Sequence, residues 1–274
     1  MTNQLIKIRE TVKNTKPLIH CITNTISIND CANSILAVGG KPIMAEHPKE
    51  VSQITKSAKA LAINLGNITD ARLESITISG KTAYDNNIPC VIDLVGVACS
   101  SFRNDFATRF ISKCKPSVIK GNMTELKAMC NRQLSGNGVD VLLSDEVCEN
   151  NIHSAVKLLK EFSQKTQAVI IATGVTDLIA FEHRCFAVSN GDKMLSQITG
   201  TGCMLNALTA AFISAGEILN GALLATVYLG IAGEIAHTES GTGTFRVHLM
   251  DALSTLSDDK LLNRIKVREV KNEL

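Results

Sequence analysis

The chain contains no tryptophan, and aromatic residues make up only 4% of its 274 positions. Stacking platforms for single-stranded nucleic acid need aromatic faces, so that class of function is disfavoured. An excess of charge is missing as well. With 28 basic and 26 acidic residues the formal net charge is +2, which gives no reason to invoke nucleic acid or an anionic membrane as partner. The nine cysteines form no C-x-x-C pair and no Cys/His cluster with zinc spacing. Their number is odd, and the N-terminus, Met1-Thr-Asn-Gln-Leu-Ile-Lys, has no secretory apolar core. Reduced thiols packed as small hydrophobes are therefore expected. No apolar run reaches the roughly 18 residues that suggest a membrane span, so the expectation is a soluble, cytoplasmic protein.

Familiar motifs are absent too. There is no G-x-x-x-x-G-K-[ST] loop, no G-x-G-x-x-G after the first strand and no G-x-S-x-G elbow, which sets aside the common nucleotide folds and the serine hydrolases.

What is present is a hydrophobic fraction of 45%, ample for one large core, and a single domain over residues 1–274 is expected. Residues 3–14 carry Leu5, Ile6, Ile8 and Val12 as one helical stripe, stopped by Lys16-Pro17. Apolar runs then read as strands at Pro17–Ile22, Pro42–Ala45, Ala60–Leu65, Pro89–Asp93, Pro116–Lys120 and Ala168–Thr173. Helical segments separate them: 26–38, ended by Gly39-Gly40, then one opened by Pro48, then 69–87, 102–114, one opening at Gly121-Asn122, and about 146–166. The interval 133–145 is less regular, with Ser135-Gly-Asn-Gly138 as its clearest turn. Asp177–Phe181 and Arg184–Val188 predict a hairpin, and apolar helices follow at about 203–215, 219–237 and 246–256. Strands alternating with helices need crossover connections. The pattern therefore predicts a three-layer α/β/α domain with a mainly parallel sheet, in which ligands bind beyond the carboxyl ends of the strands. Asn24, Asn64, Asp93, Lys120 and Thr173 stand at those ends.

The chemistry is expected at Gln197-Ile-Thr-Gly-Thr-Gly-Cys203, a small-residue turn running into an Ala/Leu-rich helix. Gly200, Thr201 and Gly202 allow a tight turn whose amides converge at the positive end of a helix dipole, a place suited to an anion. Cys203 falls on the first helical turn, where the dipole favours a lowered thiol pKa. A helix start that needs close packing explains the same glycines. Asp93 closes a buried strand, where a carboxylate is costly unless paired or bound, and with Glu125 it makes two carboxylates suited to a hydrated Mg2+. Glu125 also fits a plain capping role, because Asn122-x-x-Glu125 satisfies the helix-start pattern unaided. Lys120 is placed to reach a phosphate or to stand in solvent; Thr173-Gly174 offers a hydroxyl and an open backbone to a phosphate, or a simple turn. Met44 suits a soft ligand face, although a lone methionine is more often core. The histidines have no partner at metal or triad spacing. An anion hole with a thiol, two carboxylates, a cation and a Thr-Gly turn are parts of a phosphoryl-transfer site.

These residues form a wider pattern. Cys21-Ile-Thr-Asn-Thr, Gly39-Gly-Lys-Pro-Ile-Met44-Ala, Asn64-Leu-Gly66, Val91-Ile-Asp93-Leu-Val-Gly96, Lys120-Gly-Asn-Met-Thr-Glu125, Thr173-Gly174 and Thr199-Gly-Thr-Gly-Cys203 resemble, in order and over nearly the whole chain, the hydroxyethylthiazole kinases, ribokinase-like enzymes of thiamine salvage. The resemblance implies an ATP-dependent kinase acting with Mg2+ on the hydroxyethyl group of 4-methyl-5-(2-hydroxyethyl)thiazole. It implies thiazole contacts from Met44, Asn24, Gly66 and Gly200, ATP phosphates on Lys120 and Thr173, and Mg2+ on Asp93 and Glu125. Cys203 then stands where most ribokinase-like enzymes carry the aspartate that takes the alcohol proton. A homotrimer with the thiazole pocket at subunit interfaces is implied as well. Two departures from the family pattern stand out: Asp93 is followed by Leu94 rather than proline, with an altered loop at Ala98-Cys-Ser-Ser-Phe-Arg103, and Lys120 replaces a common arginine.

Overall fold

A computed structural model describes residues 2–134 and 152–271. The expected turn at Ser135–Gly138 and the expected helix start near Glu146 lie outside them. The chain runs α1 (Thr2–Thr15), β1 (Leu18–Ile22), α2 (Ile28–Ala37), β2 (Lys41–Ile43), α3 (Val51–Ser57), β3 (Ala60–Asn64), α4 (Asp70–Asp85), β4 (Cys90–Asp93), α5 (Ser101–Cys114), β5 (Val118–Asn122) and α6 (Met123–Leu134). It continues through α7 (Ile152–Thr166), β6 (Val169–Thr173), β7 (Asp177–Phe181), β8 (Arg184–Val188), α8 (Thr201–Ile213), α9 (Ile218–Ala236), α10 (Thr242–Thr255), α11 (Asp258–Arg264) and β9 (Val267–Glu269). Short 3-10 turns at Thr25–Ser27 and Lys193–Gln197 precede α2 and α8.

All nine strands form one sheet in the order β2-β1-β3-β4-β5-β6-β7-β8-β9. The pairs from β2 to β6 are parallel, and β7, β8 and β9 extend the edge by antiparallel pairing. Alternate residues of each strand face opposite layers. Ala60, Ala62, Val91 and Val118 point to a core shared with α1, α2, α8, α9 and α10. Leu61, Ile63, Ile92 and Ile119 point to a second core built with α3 to α7. Small Ala60 and Ala62 let α8 lie close over β3, which is what brings its N-terminus to the strand ends.

The expected architecture is present, with local differences. Gly121 and Asn122 still belong to β5, and helix α6 starts after them. α10 begins at Thr242, taking in residues expected to be loop, while α11 and β9 are additional. The expected stop after α2 is found: Gly39 sits at φ +98° and the Gly40 amide donates to the Ile35 carbonyl at 2.9 Å. α9 is long and apolar enough to cross a membrane by length and composition, yet 72% of that stretch is buried inside the fold. Of the eight described cysteines only Cys99 is exposed.

Candidate active site

Four elements, β3, β4, β5 and α8, converge at the carboxyl end of the sheet. Asn64 closes β3, Asp93 closes β4 and Lys120 lies in β5, so the register that pairs Asn64 with Asp93 and Asp93 with Lys120 sets the three side chains in one row. The Lys120 ammonium stands 2.9 Å from Asp93 Oδ2, and Asn64 Nδ2 donates to the same oxygen at 2.9 Å. Asn64 Nδ2 also lies 3.4 Å from Cys203 Sγ. The first turn of α8 is therefore tied to the strand ends by one amide group. Three residues further on, Asn206 Nδ2 donates to the Ile63 carbonyl at 3.0 Å and fixes the helix over β3.

Asp93 and Lys120 are almost fully buried, at 1% and 4% exposure. Burial works against the charge of each. For Lys120 the attraction and hydrogen bond of Asp93 outweigh it, and the ammonium is held above the ordinary lysine range. A β-carbon placed on Gly202 would lie 3.5 Å from Lys120 Nζ, which locates this cation at the mouth of α8. A cation and the positive end of a helix dipole repel each other. Their coexistence makes a strongly anion-seeking spot, balanced in the free chain by Asp93. The lysine is thus paired and buried, not solvated.

Gly200 takes φ +92° at the N-cap of α8, a left-handed conformation that suits glycine, and a β-carbon there would meet Ser27 at 3.1 Å. One expectation fails at this turn. The Cys203 thiol is raised above its ordinary range, not lowered: burial pushes it up, and hydrogen bonding from Ser27 and the charge of Lys120 do not compensate. The helix start supplies donors, but it does not make a thiolate there.

Glu125 fills the capping role its spacing allows. Its Oε2 accepts from the Asn122 amide and the Asn122 side chain returns the bond to the Glu125 amide, each at 2.9 Å, which is a reciprocal helix cap. Its Oε1 accepts from the Gly96 amide at 2.9 Å, so it also holds the loop after β4. Its charge is close enough to work against ionisation of Asp93. Two mutually repelling carboxylates fit a hydrated divalent cation, which needs few protein ligands. Among the described residues no cluster of three or more His, Cys, Asp or Glu has metal-holding geometry.

The remaining expected residues fall into two groups. Thr173, Thr201 and Gly202 line a cleft of about 500 Å³, together with Gly174, Asp177 and Asn190. Asn24 and Gly66 touch on the other side of the row, where a β-carbon on Gly66 would stand 2.3 Å from Asn24 Nδ2. Met44 follows the edge strand β2, half-buried against the core layer that contains Cys31 and Cys203. Met44 and Thr173 are therefore on opposite flanks of Cys203.

Several contributors carry no signal of function in the sequence. Ser27 sits in an ordinary polar turn. Asn64 is visible as a strand end, but its bridge between Asp93 and Cys203 depends on sheet register. Arg103 donates to the carbonyls of Leu65, Gly66 and Val95, so it ties the loop after β3 to the loop after β4.

A mainly parallel sheet with helices on both faces and a cleft beside a glycine-rich helix start is an architecture of the ribokinase-like class. A ribokinase-like superfamily protein of Enterococcus faecalis V583 shares this fold at 13% identity, with a TM-score of 0.62 over 91% of this chain and 89% of that one. The model of the hydroxyethylthiazole kinase family matches residues 9–259, and the chain belongs to that family. It is 53% identical over 262 residues to hydroxyethylthiazole kinase 2 of Clostridium botulinum (strain 657 / Type Ba4), covering 96% of this chain and 99% of that protein. The solved structure of a hydroxyethylthiazole kinase protein from Pyrococcus horikoshii OT3 is similar at 31% identity and a TM-score of 0.88, covering 98% of this chain and all of that one.

Proposed function

We propose that the chain transfers the γ-phosphoryl group of ATP to the hydroxyethyl group of 4-methyl-5-(2-hydroxyethyl)thiazole, as a cytoplasmic enzyme of thiamine biosynthesis or salvage built from one domain. The observation that carries this reading is the grouping of Cys203, Asn64, Asp93 and Lys120 at the mouth of α8, with Asn64 Nδ2 3.4 Å from the thiol and 2.9 Å from the carboxylate.

In this reading ATP occupies the cleft bordered by Thr173, with its terminal phosphate toward Lys120 and the amides from Gly200 to Cys203. The thiazole alcohol lies on the other flank, against Met44, Asn24, Gly66 and Gly200. The alcohol oxygen bonds to the γ-phosphorus while the bond to the bridging oxygen of ADP breaks, and the hydroxyl proton leaves to Cys203 or to solvent. Asp93 and Glu125 would hold Mg2+, which would supply charge neutralisation on the phosphates. Lys120 and the helix-start amides offset charge on the moving phosphoryl group. A loose transition state asks for little proton abstraction, and a thiol held in its neutral form is a weak base. Cys203 therefore contributes as a lining group of the anion hole more than as a base. A homotrimer whose neighbouring subunits close the thiazole flank completes the proposal.

The test is direct. The protein is incubated with ATP, Mg2+ and a panel of vitamin-precursor alcohols, including the thiazole, hydroxymethylpyrimidine and pyridoxal, and products are identified by mass. A phosphate on the thiazole alcohol supports the assignment; a phosphate only on another alcohol, or on none, overturns it.

A further inference from the structure

The main-chain pairing that joins β1 to β2 runs from Leu18↔Lys41 to His20↔Ile43. It stops just short of Met44. Beyond that point the segment carrying Met44 is held by side chains, much of the holding coming from α4, while the Asn24 side keeps its main-chain pairing to β3 as far as Ile22↔Ile63. Arg72 Nη2 donates to the Thr23 carbonyl, one residue before Asn24. Arg72 Nη1 stands 3.1 Å from Glu46 Oε2, two residues after Met44. One turn along the same helix, Ser75 Oγ donates to the Glu46 carbonyl at 2.7 Å, and His20 Nε2 meets the Ala45 carbonyl at 2.8 Å.

The Arg72 side chain is 4% exposed, while that of Glu46 is 45% exposed. Burying a guanidinium is costly, and a buried ion pair is a weak source of stability because desolvation offsets its attraction. Among the described residues neither its Nε nor its Nη1 has a hydrogen-bond partner, so the contact with Glu46 is one of charge and proximity. What the position does offer is geometric. A planar fork reaches two separate chain segments from one rooted helix turn, where Arg72 N itself donates to the Thr69 cap at 3.3 Å.

We propose that Arg72 is a positioning residue for the alcohol substrate: its guanidinium clamps the segments that carry Asn24 and Met44 and so sets the width of the pocket between them. This rests on the reading of Asn24 and Met44 as the thiazole flank. Arg72 acts through those segments and touches neither ATP nor the reacting atoms. Glu46, at the outer end of the clamp, steadies only the Met44 side.

Steady-state kinetics with each substrate varied in turn test the assignment. In Arg72→Lys, which keeps the charge and loses the fork, the KM for the thiazole alcohol rises roughly tenfold or more, and the KM for ATP stays within about twofold. The variant also gains relative rate on thiazoles bearing a bulkier ring substituent, because the pocket is wider. Glu46→Gln shows the same split with a smaller rise, and it carries the readout alone if Arg72→Lys fails to fold. A general strut would move both KM values together or lower kcat alone; either result, or unchanged kinetics, overturns the proposal. Should the unaltered protein phosphorylate no thiazole alcohol, the functional reading fails first. Should it be active while both variants match it, only the role of Arg72 fails.

Discussion

Asp93 and Lys120 face each other across adjacent parallel strand ends, with carboxylate and ammonium 2.9 Å apart and both side chains shut off from solvent. Each neutralises the other in the free chain, and each has a second proposed partner, a magnesium ion or a phosphate. Removing one member strands a buried charge. Asp93→Asn and Lys120→Met are each expected to lose about 3 kcal/mol or more of stability, whereas the double variant loses less than the sum. Urea unfolding of the four proteins measures this. Activity falls in all three variants, so stability and catalysis part company in the double variant.

Cys203 and Gly202 are neighbours with unequal expected weight. Because burial raises the Cys203 thiol, the group stays protonated at neutral pH and carries little base character. Cys203→Ala is expected to keep measurable turnover and the same shape of rate profile from about pH 6 to about pH 8, a window below the ordinary thiol range. Gly202→Val pushes methyl groups beyond a β-carbon already 3.5 Å from Lys120 Nζ. It is expected to lower kcat/KM about a hundredfold or more, as removal of an oxyanion-stabilising donor does. Equal losses in the two variants would count against ranking the amides above the thiol.

The three layers and the mainly parallel sheet were legible because apolar strands and Gly-rich turns are local signals. The row Asn64, Asp93, Lys120 could be read as strand ends, but not as a bonded set, since hydrogen bonding across it depends on register. The thiol misled for a related reason. A helix start is visible in Gly200-Thr-Gly-Cys203, while the packing of Ser27, Asn64 and the sheet over that sulfur is not, and burial outweighs the dipole. Arg72 and Arg103 were invisible because each acts on backbone carbonyls far along the chain, with no spacing to reveal it.

Asp177 offers a pH dependence of opposite sign to the usual carboxylate. Burial raises its carboxyl from 3.8 to about 7, although the Gly174 amide donates to it at 2.9 Å and Lys120 also opposes the rise. The native state then holds this proton more tightly than the unfolded chain does. The contribution of Asp177 to stability is accordingly full below about pH 4 and is lost as pH rises toward about 7. Asp177→Asn keeps an oxygen for the Gly174 amide and removes the titration. Melting temperatures taken at about pH 5 and about pH 8 should differ less in the variant than in the unaltered protein, and an unchanged difference would assign the pH dependence elsewhere.

Glu125 allows the capping role and the proposed metal role to be measured apart. Both carboxylate oxygens already receive backbone amides, from Asn122 and from Gly96, so one function does not exclude the other. Glu125→Gln keeps a single oxygen, turns an amide donor toward one of those N–H groups and removes the charge that faces Asp93. As a cap, the change is expected to cost about 1 kcal/mol, read by urea unfolding without any metal present. As a magnesium partner, it is expected to raise the Mg2+ concentration needed for half-maximal rate by roughly tenfold, with the KM for the thiazole alcohol unchanged, because the proposed alcohol flank is on the far side of Cys203. A stability loss with an unaltered Mg2+ requirement would leave Glu125 a cap alone and place the ion on Asp93 and the phosphates. A shifted Mg2+ requirement sustains the second role, since the loss of a helix cap has no means of changing the affinity of a folded site for a divalent ion while leaving its affinity for the alcohol intact.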